Sequence, residues 1–391
     1  MKKYMLMVTC IVIALICMVM SLVQIKWPLA KSTPTYVTMY NVVAPSKPKI
    51  TTVIKQKGVN FFNGICFYSA PLPYDSEESF LALDALLEEM KTANFVGLRY
   101  FLKEQNLEST LVVYDVHQDD VLFNMIARIH EAGKGVCLEP QIFLDAPGQY
   151  VADLKPKSVK EWFKNYTEAV LYYAQFAQDC GVEMFSIANE NSSFWGYSQY
   201  WDDLINQTRT IYDGIITVKL NCWWQEKTYQ SVMKDYTWLE NSNLDFIGIS
   251  PYFDLTLMEN PSVNDLIKAW TDSGSNRHHL NIVEELQNIS KKYQKKIIFL
   301  EIGYRSIKYC AAEPWNASDI VPRGSNSKIV YSDSEPSNAI KALYEVFSKK
   351  DWFAGVFWFY WPTAKPAKAD TTWSIWTKPI QEILNTQFAA H

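Results

Sequence analysis

From Gly58 onward, short apolar runs alternate along the chain with longer stretches in which apolar residues recur at helical spacing. Nearly continuous apolar runs are typical of strands that are covered on both faces. The alternation therefore predicts an α/β fold whose parallel sheet closes into a (β/α)8 TIM barrel. The eight predicted strands are Gly58–Phe62, Phe95–Phe101, Gly135–Pro140, Met184–Asn189, Ile216–Asn221, Leu244–Ser250, Ile297–Ile302 and Gly355–Tyr360. The predicted helices are Glu77–Lys91, Asp120–Ala132, Val159–Asp179, Tyr200–Tyr212, Ile282–Tyr293, Asn338–Lys349 and Trp376–Asn385.

A doubly wound open sheet is the alternative arrangement for alternating strands and helices. Such sheets normally carry a glycine-rich turn after the first strand, and none follows Gly58–Phe62. The barrel domain would occupy residues 57–391. That span exceeds the usual length of about 250 residues for this fold, which leaves room for long loops after some strands.

The N-terminal segment has a different pattern. Lys2 and Lys3 precede an uncharged, mostly apolar run from Tyr4 to Ile25, which meets the requirement of about 20 residues for crossing a membrane. Residues 1–25 are therefore predicted to be a transmembrane signal anchor that begins in the cytoplasm. A cleaved signal peptide is the alternative, although only weak cleavage sites occur, near Ala30.

Residues 26–56 contain four prolines and show no helical periodicity, so we interpret them as an extracytoplasmic linker. The expected location is the cell membrane, with a single pass and the barrel domain outside the cytoplasm. If the N-terminal segment is cleaved, the expected location is secreted.

Composition narrows the classes of function. Lys and Arg total 37 against 42 Asp and Glu, so the chain lacks the basic excess of a nucleic-acid-binding protein. Its 14 Trp, 23 Tyr and 20 Phe suit a large core and also a groove in which rings stack on a ligand. The seven widely spaced cysteines do not indicate a disulfide framework. Neither HExxH nor CxxC occurs, and we expect no metal and no cofactor.

Two predicted strands end in a carboxylate. Glu190 follows the fourth strand, and Glu301 lies one residue before the end of the seventh. Chemistry in a barrel takes place at the C-terminal ends of the strands, where a retaining glycosidase needs two carboxyl groups about 5–5.5 Å apart. The structural alternative is that Glu190 caps the following segment and that Glu301 pairs with a barrel cation such as Arg99.

The residues around these carboxylates resemble clan A of the glycoside hydrolases and, more narrowly, glycoside hydrolase family 113, whose known activity is β-mannanase. The most specific match is Glu301-Ile302-Gly303-Tyr304-Arg305-Ser306. Weaker matches include Gly58-Val59-Asn60-Phe61, Gly135 to Pro140, Trp162 to Tyr166, Leu204 to Gly214, Leu244 to Ile249 and Phe353 to Trp358. Together these stretches cover most of the chain from Gly58 to Asn385.

The resemblance implies that Glu190 is the acid/base and Glu301 the nucleophile. It also implies that Asn189 contacts the sugar 2-hydroxyl, and that Arg99 and Tyr252 hold the nucleophile ionised and oriented. Three further positions, Gln141, Trp223 and Trp358, concern the substrate groove. Gln141 stands where family members tend to have His, and Trp358 resembles the aromatic residue beneath the reacting sugar. Trp223 and Trp358 follow or end strands and are expected to face the groove.

Trp195 and Trp315 lie in loops after the fourth and seventh strands, and the sequence leaves open whether they line the groove or pack at the rim. The segment Ala188-Asn189-Glu190-Asn191 departs from the family's usual Gly-Thr-Glu-Leu, which bears on mannan specificity.

The leading hypothesis is a monomeric retaining glycoside hydrolase that cleaves β-1,4-linked polysaccharide or oligosaccharide, with endo-acting β-mannanase activity as the first expectation. One alternative is a catalytically silent barrel that binds glycans as a surface module. Another keeps the enzyme and changes the substrate to xylan, glucan or a cell-wall polymer. The presence of both Glu190 and Glu301 favours the enzyme, because a silent barrel has no need of the pair.

Overall fold

The computed structural model of the protein describes residues 59–68, 77–222, 227–318 and 329–391. Eight parallel strands form a barrel in which spatial neighbours follow chain order, and the barrel closes because the first strand pairs with both the second and the last. The (β/α)8 prediction is confirmed. The strands are β1 Phe62–Tyr68, β2 Phe95–Glu104, β3 Gly135–Leu144, β4 Met184–Asn189, β5 Ile215–Asn221, β6 Phe246–Ser250, β7 Lys296–Ile302 and β8 Phe353–Pro362.

Helices surround the barrel, and a two-residue antiparallel strand, Val113–Tyr114, extends the sheet beside β2. The described α-helices are α1 Glu77–Glu89, α2 Asp119–Glu131, α3 Val159–Cys180, α4 Ser198–Ile211, α5 Tyr229–Val232, α6 Val263–Thr271, α7 Ile282–Tyr293, α8 Ser334–Phe347 and α9 Pro379–Ala390. Their ends follow local rules. In α3, for example, the Ser158 hydroxyl accepts from the amide of Glu161, and Gly181 adopts the left-handed conformation that stops the helix.

The first strand lies later in the chain than predicted, at Phe62–Tyr68 instead of Gly58–Phe62. The apolar run is interrupted there by Asn63 and Gly64, which hides the strand in the sequence pattern. Packing explains the glycine, since a Cβ atom at Gly64 would lie 2.3 Å from the ring of Phe357 on β8. The β6–β7 connection also holds a helix that was not predicted, α6, which begins with a capping box formed by Ser262 and Asp265.

Alternate residues of each strand face opposite sides of the sheet, which divides the core into two layers. The outer and larger layer lies between the strands and the helices, and it contains Trp358. The inner layer fills the barrel, and its buried members are Phe62, Cys66, Phe95, Cys137, Met184, Ile298, Leu300, Ala354 and Phe357.

The predicted anchor and linker, residues 1–56, lie outside the described residues. Within the part of the chain that the structure describes, no helix is both long and apolar enough to cross a membrane. All five cysteines in that part are free thiols, and four of them are buried.

Candidate active site

Four charged side chains from four strands meet near the C-terminal end of the barrel. They are Arg99 on β2, Glu139 on β3, Lys219 on β5 and Glu301 on β7, and we call them the charge quartet. Arg99 reaches Glu139 Oε1 through Nε at 2.8 Å and Glu301 Oε2 through Nη2 at 2.6 Å. Lys219 Nζ contacts the same two oxygens, at 2.7 Å and 2.8 Å. Two formal positive and two formal negative charges make the quartet neutral.

The quartet is almost shielded from water. The Lys219 side chain has no exposed surface, and even Glu301, the most accessible member, exposes only 13% of its side chain. The Arg99 guanidinium also lies 4.5 Å from the ring centre of Tyr68, within range of a cation–π contact. Charges buried this deeply are tolerated because each carboxylate is bonded by both cations.

Glu301 is held as a carboxylate. Burial on its own would raise the pKa of Glu301, but the charges of Lys219 and Arg99 outweigh burial and hold the pKa below its usual value. The hydroxyl of Tyr252 donates to the other oxygen, Oε1, at 3.1 Å. Glu301 is therefore ionised near neutral pH and is fixed in orientation through both oxygens.

Glu190 stands directly after β4 in a left-handed backbone conformation, with φ at 57°, and its amide donates to the carbonyl of Lys219 at 2.8 Å. Such a conformation is uncommon for a residue other than glycine and is found preferentially at functional sites. Burial and the nearby charge of Glu301 raise the pKa of Glu190, with a smaller opposing effect from Lys219. Its carboxyl group therefore keeps its proton to a higher pH than an exposed glutamic acid does.

Both carboxyl groups open into one cavity of about 210 Å³. Trp315, from the loop after β7, forms part of its wall and is 43% exposed. Its indole Nε1 donates to Asp254 Oδ1 at 2.9 Å, which holds the ring by one edge. The described residues that line the cavity are Glu190, Asn221, Cys222, Ser250, Tyr252, Glu301, Trp315, Phe359 and Trp373.

The structure brings Arg99, Glu190, Tyr252 and Glu301 together, whereas Asn189 and Gln141 are not among the described residues that line the cavity. Arg99 and Tyr252 both contact Glu301. Asn189 and Gln141 contact each other, since the Asn189 amide Nδ2 donates to Gln141 Oε1 at 3.2 Å. Trp223 lies outside the described residues, so its predicted place in the groove stays a prediction.

The expectation for Trp358 is wrong. Its side chain is 2% exposed in the outer core layer, and its Nε1 donates to the hydroxyl of Tyr344 on α8 at 3.1 Å. The reason is strand alternation, because Trp358 points toward the helices while its neighbour Phe359 points to the barrel interior and lines the cavity. Of the two loop tryptophans, Trp315 lines the cavity and Trp195 is buried beside Trp201 and Trp238.

Sequence reasoning missed Glu139 and Lys219 as members of the site. Both lie within predicted strands, where a charged residue interrupts an otherwise apolar run. That interruption indicates a possible site residue, since a charged side chain inside a barrel strand must form an ion pair or serve in function. A search limited to the last residues of the strands passes over it.

The model of Glycoside Hydrolase Family 113 matches residues 66–378 of the chain. The chain belongs to glycoside hydrolase family 113. This match covers the whole constellation of Arg99, Glu139, Glu190, Lys219 and Glu301, and it confirms the family resemblance. No curated protein sequence matches the chain.

Solved structures of family 113 share the fold. The β-mannanase from Alicyclobacillus acidocaldarius, in complex with ManMIm, aligns over 85% of this chain and 98% of its own, with 20% identity and a TM-score of 0.67. Another family 113 β-1,4-mannanase aligns over 85% and 100%, with 19% identity and a TM-score of 0.66. The β-D-glucuronidase from Dictyoglomus thermophilum is more distant, covering 85% and 51% at 14% identity and a TM-score of 0.52.

Proposed function

We propose that the chain is a retaining glycoside hydrolase that cleaves β-1,4-linked mannan, with Glu190 as acid/base and Glu301 as nucleophile. One observation supports this most directly. Two carboxyl groups share a cavity, and their surroundings move their pKa values in opposite directions, up for Glu190 and down for Glu301. A retaining glycosidase needs one protonated and one ionised carboxyl group in this relation.

In the first step, a carboxylate oxygen of Glu301 attacks the anomeric carbon and the glycosidic bond breaks. The leaving oxygen takes the proton of Glu190, and Glu301 becomes a neutral ester. Oε1 is the better attacking atom, because among the described residues it accepts from the Tyr252 hydroxyl alone, whereas Oε2 is bonded by two cations. In the second step, water attacks the same carbon, its proton passes to Glu190, and the ester bond breaks to restore the Glu301 carboxylate.

Mannan is the proposed substrate because the two family 113 structures described above are β-mannanases by name. Phe359, Trp315 and Trp373 supply aromatic surface on the cavity wall, and flat rings of this kind suit the apolar faces of a pyranose. Endo action, the membrane anchor and a location outside the cytoplasm remain part of the proposal. So does the monomeric state.

The roles are tested with two variants on a substrate panel. Reducing ends are measured on mannan, xylan and β-glucan, and mannan is expected to give the largest release. Glu301→Ala should abolish turnover, and added azide should restore it as a glycosyl azide of inverted configuration. Glu190→Ala should lose about 10²–10⁴-fold on polymer but retain activity on aryl glycosides with very good leaving groups, which need no proton.

With Glu190→Ala, azide should give a product of retained configuration, because azide attacks the glycosyl-enzyme. Glu183→Gln is the matched control. Glu183 is a buried residue with a carboxyl side chain directly before β4, and it does not line the cavity. The variant should keep wild-type turnover per folded molecule. Equal loss in Glu190→Ala and Glu301→Ala on every substrate, without rescue, would instead favour a silent glycan-binding barrel.

A further inference from the structure

Glu139 and Lys219 take no part in the bond changes of the proposed reaction, yet they are built into the nucleophile's site. Each cation that bonds Glu301 Oε2 is bonded at the same time to Glu139 Oε1. Glu139 is 5% exposed and Lys219 is fully buried. The nucleophile is thus one corner of a closed ring of four charges.

The formal charge of this ring changes during the reaction. Arg99 and Lys219 contribute +2 and the two carboxylates −2, so the ring is neutral before the first step. When Glu301 becomes an ester it loses its charge, and the ring then carries +1. Without Lys219 the same two stages would carry −1 and 0, and without the charge of Glu139 they would carry +1 and +2.

We propose that Lys219 and Glu139 are positioning residues that set the charge around Glu301 and Glu190 in both steps, an inference that rests on the proposed function. Lys219 holds Glu301 ionised and aimed for attack on the sugar. Glu139 also bonds Arg99 and Lys219. It thereby weakens the hold of the two cations on Glu301, which keeps the Glu301 carboxylate reactive. The ester stage leaves a net positive charge beneath Glu190, which favours the ionised Glu190 that must accept the proton of water.

Glu301 and Glu190 are the two groups whose ionisation the proposed reaction uses. Burial raises the pKa of the Cys66 thiol and of the Tyr252 hydroxyl, so both stay protonated. Arg99 and Lys219 stay charged because the carboxylates outweigh burial and raise the pKa of each. Burial likewise raises the pKa of the Cys137 thiol near Lys219 and of the Cys222 thiol near Glu190, so these also stay protonated. Among the described residues, the charged and titratable side chains that act on Glu301, on Glu190 or on the two cations include Cys66, Tyr68, Arg99, Cys137, Glu139, Lys219, Cys222 and Tyr252.

The test is the pH dependence of kcat/KM, whose acidic and basic limbs report the ionisation of Glu301 and Glu190 in the free enzyme. Lys219→Met removes a positive charge, so both limbs should move to higher pH, the acidic limb by about 1–3 units. Glu139→Gln removes a negative charge, so both limbs should move to lower pH, by about 1 unit. Lys219→Arg should return the limbs toward their wild-type positions.

If Lys219→Met does not fold, Glu139→Gln tests the inference on its own. This variant should fold, because the glutamine oxygen can still accept hydrogen bonds from both cations. Glu183→Gln, which removes a buried carboxylate at the other end of the barrel, should leave both limbs in place. Folded Glu139→Gln protein with unmoved limbs, or with limbs moved upward, would overturn the inference. So would loss of folding in both Glu139→Gln and Lys219→Met, which would assign the pair a structural role.

Failure of this inference is distinct from failure of the proposed function. If azide rescues Glu301→Ala and Glu190→Ala as expected while the Glu139→Gln limbs stay fixed, the glycosidase stands and only the role of the ion pair is lost. If azide rescues neither variant, the proposed function is lost whatever the limbs do.

Discussion

Two buried lysines lie at opposite ends of this barrel and are held in different ways. Lys219 near the C-terminal end of β5 contacts two carboxylates. Lys134, immediately before β3, is 4% exposed and donates to three backbone carbonyls just beyond the end of α1. The carbonyl oxygens belong to Met90, Lys91 and Ala93, at 2.9, 3.1 and 2.6 Å.

The two environments shift the lysine pKa in opposite directions. Burial lowers the pKa of Lys134 to about 8, whereas Glu139 and Glu301 outweigh burial and raise the pKa of Lys219. Carbonyl groups satisfy the hydrogen bonds of an ammonium group but do not cancel its charge, and carboxylates do both. This difference between the two lysines agrees with a general feature of TIM barrels. Active sites lie at the C-terminal face, whereas residues at the N-terminal face contribute to stability.

The largest expected difference between the two lysines is in catalysis. Lys219→Met should lower kcat/KM by about 10²–10³-fold at the pH optimum, as for other lost electrostatic contacts to reacting groups. Lys134→Met should stay within about two-fold of wild type per folded molecule, because it lies at the far end of the barrel. Steady-state assays on the best polymer substrate measure both. Comparable losses in the two variants would show that Lys219 has no special role in catalysis.

The next difference concerns the free energy of unfolding. Lys219→Met should cost about 3–5 kcal/mol, since it leaves two buried carboxylates facing one cation. Lys134→Met should cost about 1–3 kcal/mol, because it removes one donor from three carbonyls, of which that of Met90 still accepts from the amide of Ala93. Denaturant titration measures each value.

A double variant sharpens this result. Lys219→Met combined with Glu139→Gln leaves the neutral pair of Arg99 and Glu301, so it should be more stable than Lys219→Met alone. A simple sum of the two single losses would show that the four charges do not act as a unit.

The smallest expected effect is a pH dependence of stability that comes from Lys134. Its folded pKa of about 8 lies below the ordinary 10.5, so between these values the unfolded chain binds more protons and stability due to this group rises with pH. The rise should amount to about 1–3 kcal/mol. Buried thiols and tyrosines titrate the other way, so the quantity to measure is the difference between wild type and Lys134→Met across pH 7.5–10.5. A constant difference would show that Lys134 is not perturbed.

The comparison also shows where sequence reasoning succeeds. Strand β4 and helix α7 have the predicted bounds, because a clean apolar run and a clean helical period each specify one local structure. Glu190 and Glu301 could be singled out because each stands at the end of such a run. Strand β1 was misplaced because close packing of Gly64 against Phe357, its partner on the neighbouring strand β8, overrides the local pattern.

The barrel and the two candidate catalytic carboxyl groups could be predicted from the sequence alone, since periodicity and strand ends are local properties of the chain. The tertiary structure decided the rest of the site. Arg99, Glu139, Lys219 and Glu301 are separated by 40 to 202 residues, and only closure of the barrel brings their charges into one ring. Closure also decided that Phe359, and not Trp358, faces the cavity, because the side to which a strand residue points depends on register against its neighbours.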